Sequence, residues 1–411
     1  MPITDTVVVF ALLMSLLGVV FYASNLENPL LKKFFAVFPP LLLCYFVPGM
    51  MNTMGLIDGN DSPLPSIGSR YLLPACLILF TINLNMKEMW ALRKKAGVMF
   101  LAGTLGVLVG GPIAVWIVAQ MAPHIVGGEG ADEVWRGLGT VAGSWIGGSA
   151  NQVALREILQ PSPKLFSAMI AVDVFVAYGW MALLLWGAGR NKKMDAIFKA
   201  DSKDVDELMV RMEQREKANA RTPEVKDYIY MLAIAFGATG LAHFCAGPIA
   251  DWFSQHMPEM ERFSLTSKFF WIIFFATAFG ICLSFTSARK FEYVGSSKLG
   301  SLFLYILITT IGMQMDVFAI LENPGLFIVG FIWILIHATI MFIVGKWIKA
   351  PFFFYSVGSL SNIGGVASAS VMAAAFHPSL ISIGVILSVF GYAIGTYGGW
   401  LCAVLMQLVS P

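Results

Sequence analysis

The sequence predicts an all-α polytopic membrane protein made of two structurally similar halves, each with one glycine-rich broken helix. Three observations lead there: the composition, the recurrence of apolar runs, and an internal repeat. Hydrophobic residues fill 57% of 411 positions and charged residues only 13%, with a mean hydropathy of +0.74. Soluble domains carry about 25% charged residues, so this surface does not suit water. Thirty-nine glycines and 13% aromatic residues fit membrane helices, which tolerate glycine and place Trp and Tyr at the interface.

About a dozen apolar runs approach or exceed the length of about 20 residues that crosses a bilayer core. They lie near 6–24, 34–56, 70–87, 96–121, 137–157, 163–188, 228–249, 266–286, 299–319, 325–345, 351–377 and 379–407. The one sizeable polar stretch, 190–227, mixes charges of both signs. From Val205 it shows apolar residues at helical spacing, which reads as a short surface helix. The expected organisation is therefore an N-terminal membrane half over 1–189, a polar linker over 190–227 and a C-terminal membrane half over 228–411. Met1-Pro2-Ile3-Thr4-Asp5 lacks the basic region of a signal peptide, so Val7 to Tyr22 reads as a retained first helix.

Basic residues in short loops orient such a chain. Arg93, Lys94 and Lys95 place the loop after the third run in the cytoplasm, and Arg289, Lys290 and Lys298 do the same before the ninth. The loops 122–136 and 250–262 are richer in acid and are expected outside. These assignments conflict. Three crossings from Lys95 put the linker outside, whereas the second half requires it inside. Either the linker hides a crossing or one of the runs does not span.

The repeat appears when the chain is shifted by 217 positions, the interval from Ser144 to Ser361. Ser144–Ser162 then lies on Ser361–Ser379 without a gap. Identities fall at Ser144/Ser361, Ile146/Ile363, Gly147/Gly364, Gly148/Gly365, Ala150/Ala367, Pro161/Pro378 and Ser162/Ser379. Thr81-Ile82-Asn83 resembles Thr310-Ile311-Gly312 more loosely. Each half thus carries a polar, glycine-rich break inside an apolar run, near 143–152 and near 357–368. Glycine weakens a helix by about 1 kcal/mol relative to alanine. In lipid, freed backbone groups survive only where protein or a wet cavity satisfies them. Paired breaks at matching places in two halves point to a transporter's central site, with half-helix N-termini offered to an anion and carbonyls to a cation. The competing reading is that these small residues only let helices pack closely.

Polar residues inside the apolar runs name the candidates. Asp173 lies ten residues past Pro163, about 15 Å into its helix and near the midplane. A charge there costs at least about 2.5 kcal/mol, so it is expected to bind a cation or cycle a proton. Its repeat counterpart is Phe390. Ser149, Asn151, Ser361 and Asn362 join it as candidate ion ligands. Gly147, Gly148, Gln152, Gly364, Gly365, Ser368, Asn83, Gln314 and the intramembrane His337 are candidate substrate contacts. Interhelical hydrogen bonding is the plainer role for Asn83, Gln314 and His337. Tyr392, Tyr397 and Trp400 read as packing or interfacial residues.

Five dispersed cysteines show no metal-ligand spacing, and no HExxH motif, phosphate loop or second membrane acid is present, which argues against an enzyme. No cofactor is called for beyond a coupling ion, sodium or proton, with sodium placed at the helix crossing. The basic residues form no single face for nucleic acid.

The motifs Gly143-Ser-Trp-Ile-Gly-Gly-Ser-Ala-Asn151, Ser361-Asn-Ile-Gly-Gly-Val-Ala-Ser-Ala369 and Phe390-Gly-Tyr-Ala-Ile-Gly-Thr-Tyr397 resemble the domain-of-unknown-function 819 family of bacterial and plastid membrane proteins. That family is grouped with cation/proton antiporters and bile-acid-type sodium symporters. The resemblance implies inverted repeats, broken helices crossing at the midplane, and a mobile core domain moving against a panel domain. It also places Asp173 where antiporter relatives hold an essential carboxylate, and His337 loosely where many hold a basic residue. Homodimers through the panel domain are common among those relatives.

The expected function is a sodium- or proton-coupled secondary transporter in the cell (inner) membrane, with a small organic anion as substrate. The alternatives are cation/proton exchange without an organic substrate, or a receptor or scaffold. The latter predicts a salt-bridged Asp173 with no cavity beside it.

Overall fold

The computed structural model describes residues 2–38, 40–59, 62–85, 90, 93–200, 205, 207, 209–210, 222–263, 265–314, 323–377 and 380–411. Among them β structure is confined to one bridge, Ile3 to Ile57. The first half runs α1 (Thr6–Ser24), α2 (Pro29–Val37), α3 (Pro40–Thr53), α4 (Leu64–Thr81), α5 (Val98–Met121), α6 (Val134–Gly147), α7 (Ser149–Leu159) and α8 (Pro163–Ala188). A short linker helix α9 (Asn191–Phe198) follows. Then come α10 (Val225–His256), α11 (Lys268–Ser284), α12 (Ser296–Gly312), α13 (Gly325–Trp347), α14 (Phe352–Asn362), α15 (Gly365–Phe376) and α16 (Ile381–Val409).

Local chemistry sets several of these boundaries. The Asp5 carboxylate accepts from the Val7 and Val8 N–H groups and starts α1. Ser162 caps α8 through the Leu165 N–H, with Pro163 in the first turn where its missing N–H costs nothing. Seven helices (α1, α4, α5, α8, α10, α13 and α16) are long and apolar enough to cross a bilayer. An eighth counts if α11 and the sharply bent turn Ser287–Val294 are taken as one span. The outermost, α1 and α10, show apolar side chains such as Val19, Ile229 and Phe244 outward, as lipid-facing helices must.

Both glycine-rich runs are broken where the repeat predicts. α6 ends at Gly147, Gly148 adopts φ 77°, and α7 begins at Ser149. α14 ends at Asn362, with Gly364 at φ 93° and Gly365 at φ 65° opening α15. These left-handed conformations are cheap only for glycine.

Neither broken run traverses the fold; each turns back as a hairpin. At the base of the first, the Arg136 guanidinium donates to the Leu159 carbonyl at 2.9 Å, joining the start of α6 to the end of α7. The Ser162 N–H likewise donates to the Ala131 carbonyl at 2.8 Å. At the base of the second, the Phe376 ring meets Phe353 edge-on at 5.3 Å, joining the end of α15 to the start of α14. Pro378 and Ser379 lie outside the described residues.

This turn-back accounts for the conflict over the linker. Between Lys95 and Arg190 only α5 and α8 run through, because α6–α7 returns to its own side. Methyl-scale space above Gly345, near the end of α13, is closed by Phe198 at 3.0 Å and by Met99 at 3.5 Å, so the linker helix and the start of α5 share one end of the molecule. α9 is docked there: the Asp195 carboxylate accepts from the Phe352 N–H at 2.7 Å, capping α14, and the Phe198 ring packs by Phe342 and Tyr355. Most of the surface helix expected from Val205 lies outside the described residues.

The two hairpins enter from opposite ends. The base of the first borders a surface cleft with Lys164 and Gly325, at the start of α13. The base of the second sits beside the linker helix at the far end of α13. A glycine seam fixes the first hairpin against α16. Gly139, Gly143 and Gly147 of α6 face Ala403, Gly399 and Gly395 in antiparallel register. A methyl on Gly395 would lie 2.7 Å from the Gly147 Cα, and one on Gly399 would lie 2.8 Å from the Gly143 Cα. The close-packing role of the small residues is therefore realised at Gly147, alongside the break itself.

Candidate functional site

The site forms where the hairpin tips meet. A Cβ on Gly148 would lie 3.5 Å from the Gly365 Cα, and one on Gly365 would lie 3.6 Å from the Gly148 Cα, so the two breaks touch backbone to backbone. Beside them α8 presents Asp173, only 7% exposed. Its Oδ2 accepts from the Ser144 hydroxyl at 2.7 Å and its Oδ1 from the Trp145 indole N–H at 2.6 Å, both from the descending helix of the first hairpin. The Gln152 side chain also faces the carboxylate, and its Nε2 is buried without a hydrogen-bond partner among the described residues. No Lys, Arg or His pairs with Asp173 among the described residues.

A cavity of about 290 Å³ opens against this carboxylate. One wall comes from the hairpins, α8 and α16: Ser144, Ser149, Asp173, Gly364, Ser368 and Tyr392. The other comes from α3, α4 and α12: Pro40, Phe80, Ser301, Leu304 and Tyr305. Phe80 and Tyr392 stack across the division at 4.3 Å. The volume sits at the low end of small-molecule sites, about 300–1,000 Å³.

Four of the sequence candidates therefore line the cavity: Asp173, Ser149, Gly364 and Ser368. Gly148 and Gly365 form the tip contact, and Gln152 lies behind Asp173. The remainder are engaged by other groups of the protein. The Asn151 amide donates to the Gly147 carbonyl at 2.7 Å and its Oδ1 accepts from Thr396, tying the break to α16. Asn362 does the same for the second hairpin: it donates to the Phe100 and Gly358 carbonyls, both at 3.0 Å, and accepts from Thr104 at 2.7 Å. The Ser361 hydroxyl points to the Gly384 carbonyl at 3.5 Å.

Three further candidates lie away from the cavity. Asn83 bridges to Ser296 and Ser297 at the start of α12, each at 2.6 Å. Gln314 accepts from Arg156 at 2.8 Å, and Arg156 in turn pairs with Glu157. His337 is fully buried between the Gly103 carbonyl, 3.0 Å from Nδ1, and the Ser359 hydroxyl, 2.8 Å from Nε2. A carbonyl only accepts, so Nδ1 donates; Ser359 then serves Nε2 while accepting from the Trp180 indole at 2.8 Å. Every polar atom of this histidine is used within the protein.

Sequence reasoning passed over Ser144, Trp145, Ser301 and Tyr305, and took Tyr392 for packing. Ser144 and Trp145 were visible inside the first glycine motif. Only their spacing from the break, four and three residues before Gly148, hinted at a place one helical turn from it. Among the described residues no cluster of three or more His, Cys, Asp or Glu side chains is placed to hold a metal ion.

Comparison with known proteins agrees with a membrane protein throughout the chain. "Uncharacterized membrane protein YjcL" of Bacillus subtilis (strain 168) is 21% identical over 349 residues, covering 82% of this chain and 83% of that one. The family described as "Protein of unknown function (DUF819)" matches residues 11–409. With that match spanning both halves, the linker and the two glycine motifs, the chain belongs to the DUF819 family.

Proposed function

We propose that this protein is a secondary transporter working by alternating access, with Asp173 binding the coupling ion, sodium or proton. The observation that carries the reading is an acid buried in a membrane-length apolar helix, without a cationic partner among the described residues, on the wall of a cavity at two touching helix breaks. Such a carboxylate is expensive in lipid and has no packing value that alanine or leucine would not exceed. A receptor or scaffold gives no reason to keep it uncompensated beside open space.

The architecture supports the same reading. Three helices (α1, α3, α4), then one long helix (α5), a hairpin (α6–α7) and a long helix (α8), are followed after the linker by α10 to α12, α13, the hairpin α14–α15 and α16. With hairpins entering from opposite ends, the two halves form an inverted repeat about the tip contact. The cavity falls between α3, α4 and α12 on one side and the hairpin group on the other, so rocking or sliding one group past the other would expose Asp173 to either face. Basic residues at the linker end, among them Lys94, Lys192, Lys193 and Lys346, support a cytoplasmic side for that end.

The test is ion flux in proteoliposomes under an imposed sodium or proton gradient. Flux carried by the wild type and lost in Asp173→Asn is the expected result. Unchanged flux in that variant would remove Asp173 from the mechanism.

A further inference from the structure

Resting on the transport reading, with the coupling ion and the substrate ammonium taking turns at Asp173, we infer that the cavity takes a small zwitterion, an ammonium and a carboxylate on one compact solute of amino-acid size. The cavity wall has two opposite electrostatic poles. One is Asp173, whose two oxygens accept one hydrogen bond each and keep lone pairs for a further donor. Phe80 and Tyr305 line the same cavity and keep this carboxylate in largely apolar surroundings.

The other pole is made by backbone. The first turns of α7 and α15 both reach the cavity, at Ser149 and at Gly364 to Ser368. Both helices have glycine at the N-cap, so neither has a capping side chain to close its first N–H groups. The Val366 N–H meets the Tyr392 hydroxyl, which keeps its own proton to donate. Two half-helix N-termini with serine and tyrosine hydroxyls are a carboxylate site in a low-dielectric setting.

Charge balance decides between ligand classes. A plain organic anion would sit beside Asp173 with no Lys, Arg or His among the described residues of the cavity wall to offset it. A plain cation would leave the N-terminus of α7 unanswered and that of α15 answered only at Val366, by Tyr392. A zwitterion satisfies both poles at once, and the cavity of about 290 Å³ suits a single amino acid better than a peptide. The rival arrangement is sodium at Asp173 with an organic anion at the N-termini.

The experiment is equilibrium binding to the purified full chain in nanodiscs, with and without sodium. The probes are the twenty standard L-amino acids and glycine betaine, each beside its counterpart lacking the amino group (propionate for alanine) and its counterpart lacking the carboxylate (ethylamine for alanine). The expected result is that at least one zwitterion binds, with both counterparts at least tenfold weaker in either salt. Asp173→Asn should bring that zwitterion down to the level of its deaminated counterpart. Equal binding of a plain carboxylate once sodium is added overturns the inference in favour of the rival. Equal binding of the amine, or no binding by any probe, overturns it outright. Because the wild-type comparison stands alone, a variant that fails to fold does not shield the idea. Zwitterion binding without gradient-driven uptake would sink the transport reading and leave this one standing. Gradient-driven sodium or proton flux with no probe bound would do the reverse.

Discussion

Gly148 and Gly365 meet backbone to backbone, with 3.5 Å between a Cβ placed on the first and the Cα of the second. They are also partners in the internal repeat, so positions paired by sequence are in contact in space. A Cβ at either would crowd Tyr392, at 3.1 Å and 3.2 Å, and their left-handed φ angles of 77° and 65° already exclude most residues. Asp173 sits beside this contact because Ser144 and Trp145, one turn above the first break, hold its carboxylate.

Asp173→Asn should fold and fail to transport. The asparagine carbonyl can accept from Trp145, and its amide can donate to the Ser144 oxygen, since a hydroxyl works in both directions. Losing one charged contact to an ion is worth about 1.5–3 kcal/mol, or about 10- to 100-fold in flux below saturation. Thermal unfolding in detergent beside proteoliposome flux measures both halves of the statement.

Gly395→Ala should destabilise, while Gly179→Ala should not. The first methyl would lie 2.6 Å from the Asn151 amide and 2.7 Å from the Gly147 Cα, whereas the second has nothing within 4 Å. Overpacking of that kind costs about 1–3 kcal/mol, and a glycine replaced without strain gains about 0.4–1 kcal/mol. Equal melting temperatures for the two variants would contradict the glycine seam between α6 and α16.

Ser359→Ala should lower stability and spare flux per folded molecule. The hydroxyl serves both His337 and Trp180, so its removal strands two polar groups at about 1–3 kcal/mol each when buried. Abolished flux in a variant that melts normally would instead show His337 to be part of the transport path.

Asp195 gives the linker a pH-dependent grip on the second hairpin. Burial pushes its carboxyl above the usual range, partly offset by the Phe352 N–H it accepts. A folded value above the unfolded one means that the folded state holds the proton more tightly. The group's contribution is then fully present below the unfolded value of about 3.9 and is lost as pH rises through the folded value. Asp195→Asn keeps a carbonyl for the cap and removes the titration. Its melting temperature relative to wild type should therefore rise from about pH 4 to pH 7; a constant difference would show that Asp195 titrates alike in both states.

Much of the site was legible in advance, for identifiable reasons. Glycine pairs in apolar runs and a carboxylate in a membrane helix are rare and costly, so Gly147-Gly148, Gly364-Gly365 and Asp173 stood out by chemistry alone. Asn151 and Asn362 stood out equally, and the structure finds both hydrogen-bonded to neighbouring carbonyls and hydroxyls, because an amide's partners are set by what surrounds it. His337 was ambiguous for the same reason. Ser301 and Tyr305 gave no signal, since an isolated serine or tyrosine in an apolar helix is ordinary until a neighbouring wall places it on a cavity.

The sequence by itself determined that this chain lives in a bilayer, that two of its segments share a glycine motif, and where those segments break. Those properties are local: composition, run length and glycine content act over a few turns of helix. Only the tertiary structure decided that each broken run folds back instead of crossing. Hydropathy is blind to direction, and a hairpin is chosen by contacts such as Arg136 to Leu159 and Phe353 to Phe376, between residues more than twenty positions apart. The same turn-back removed one crossing, brought the linker to the basic end and set Asp173 against both hairpin tips.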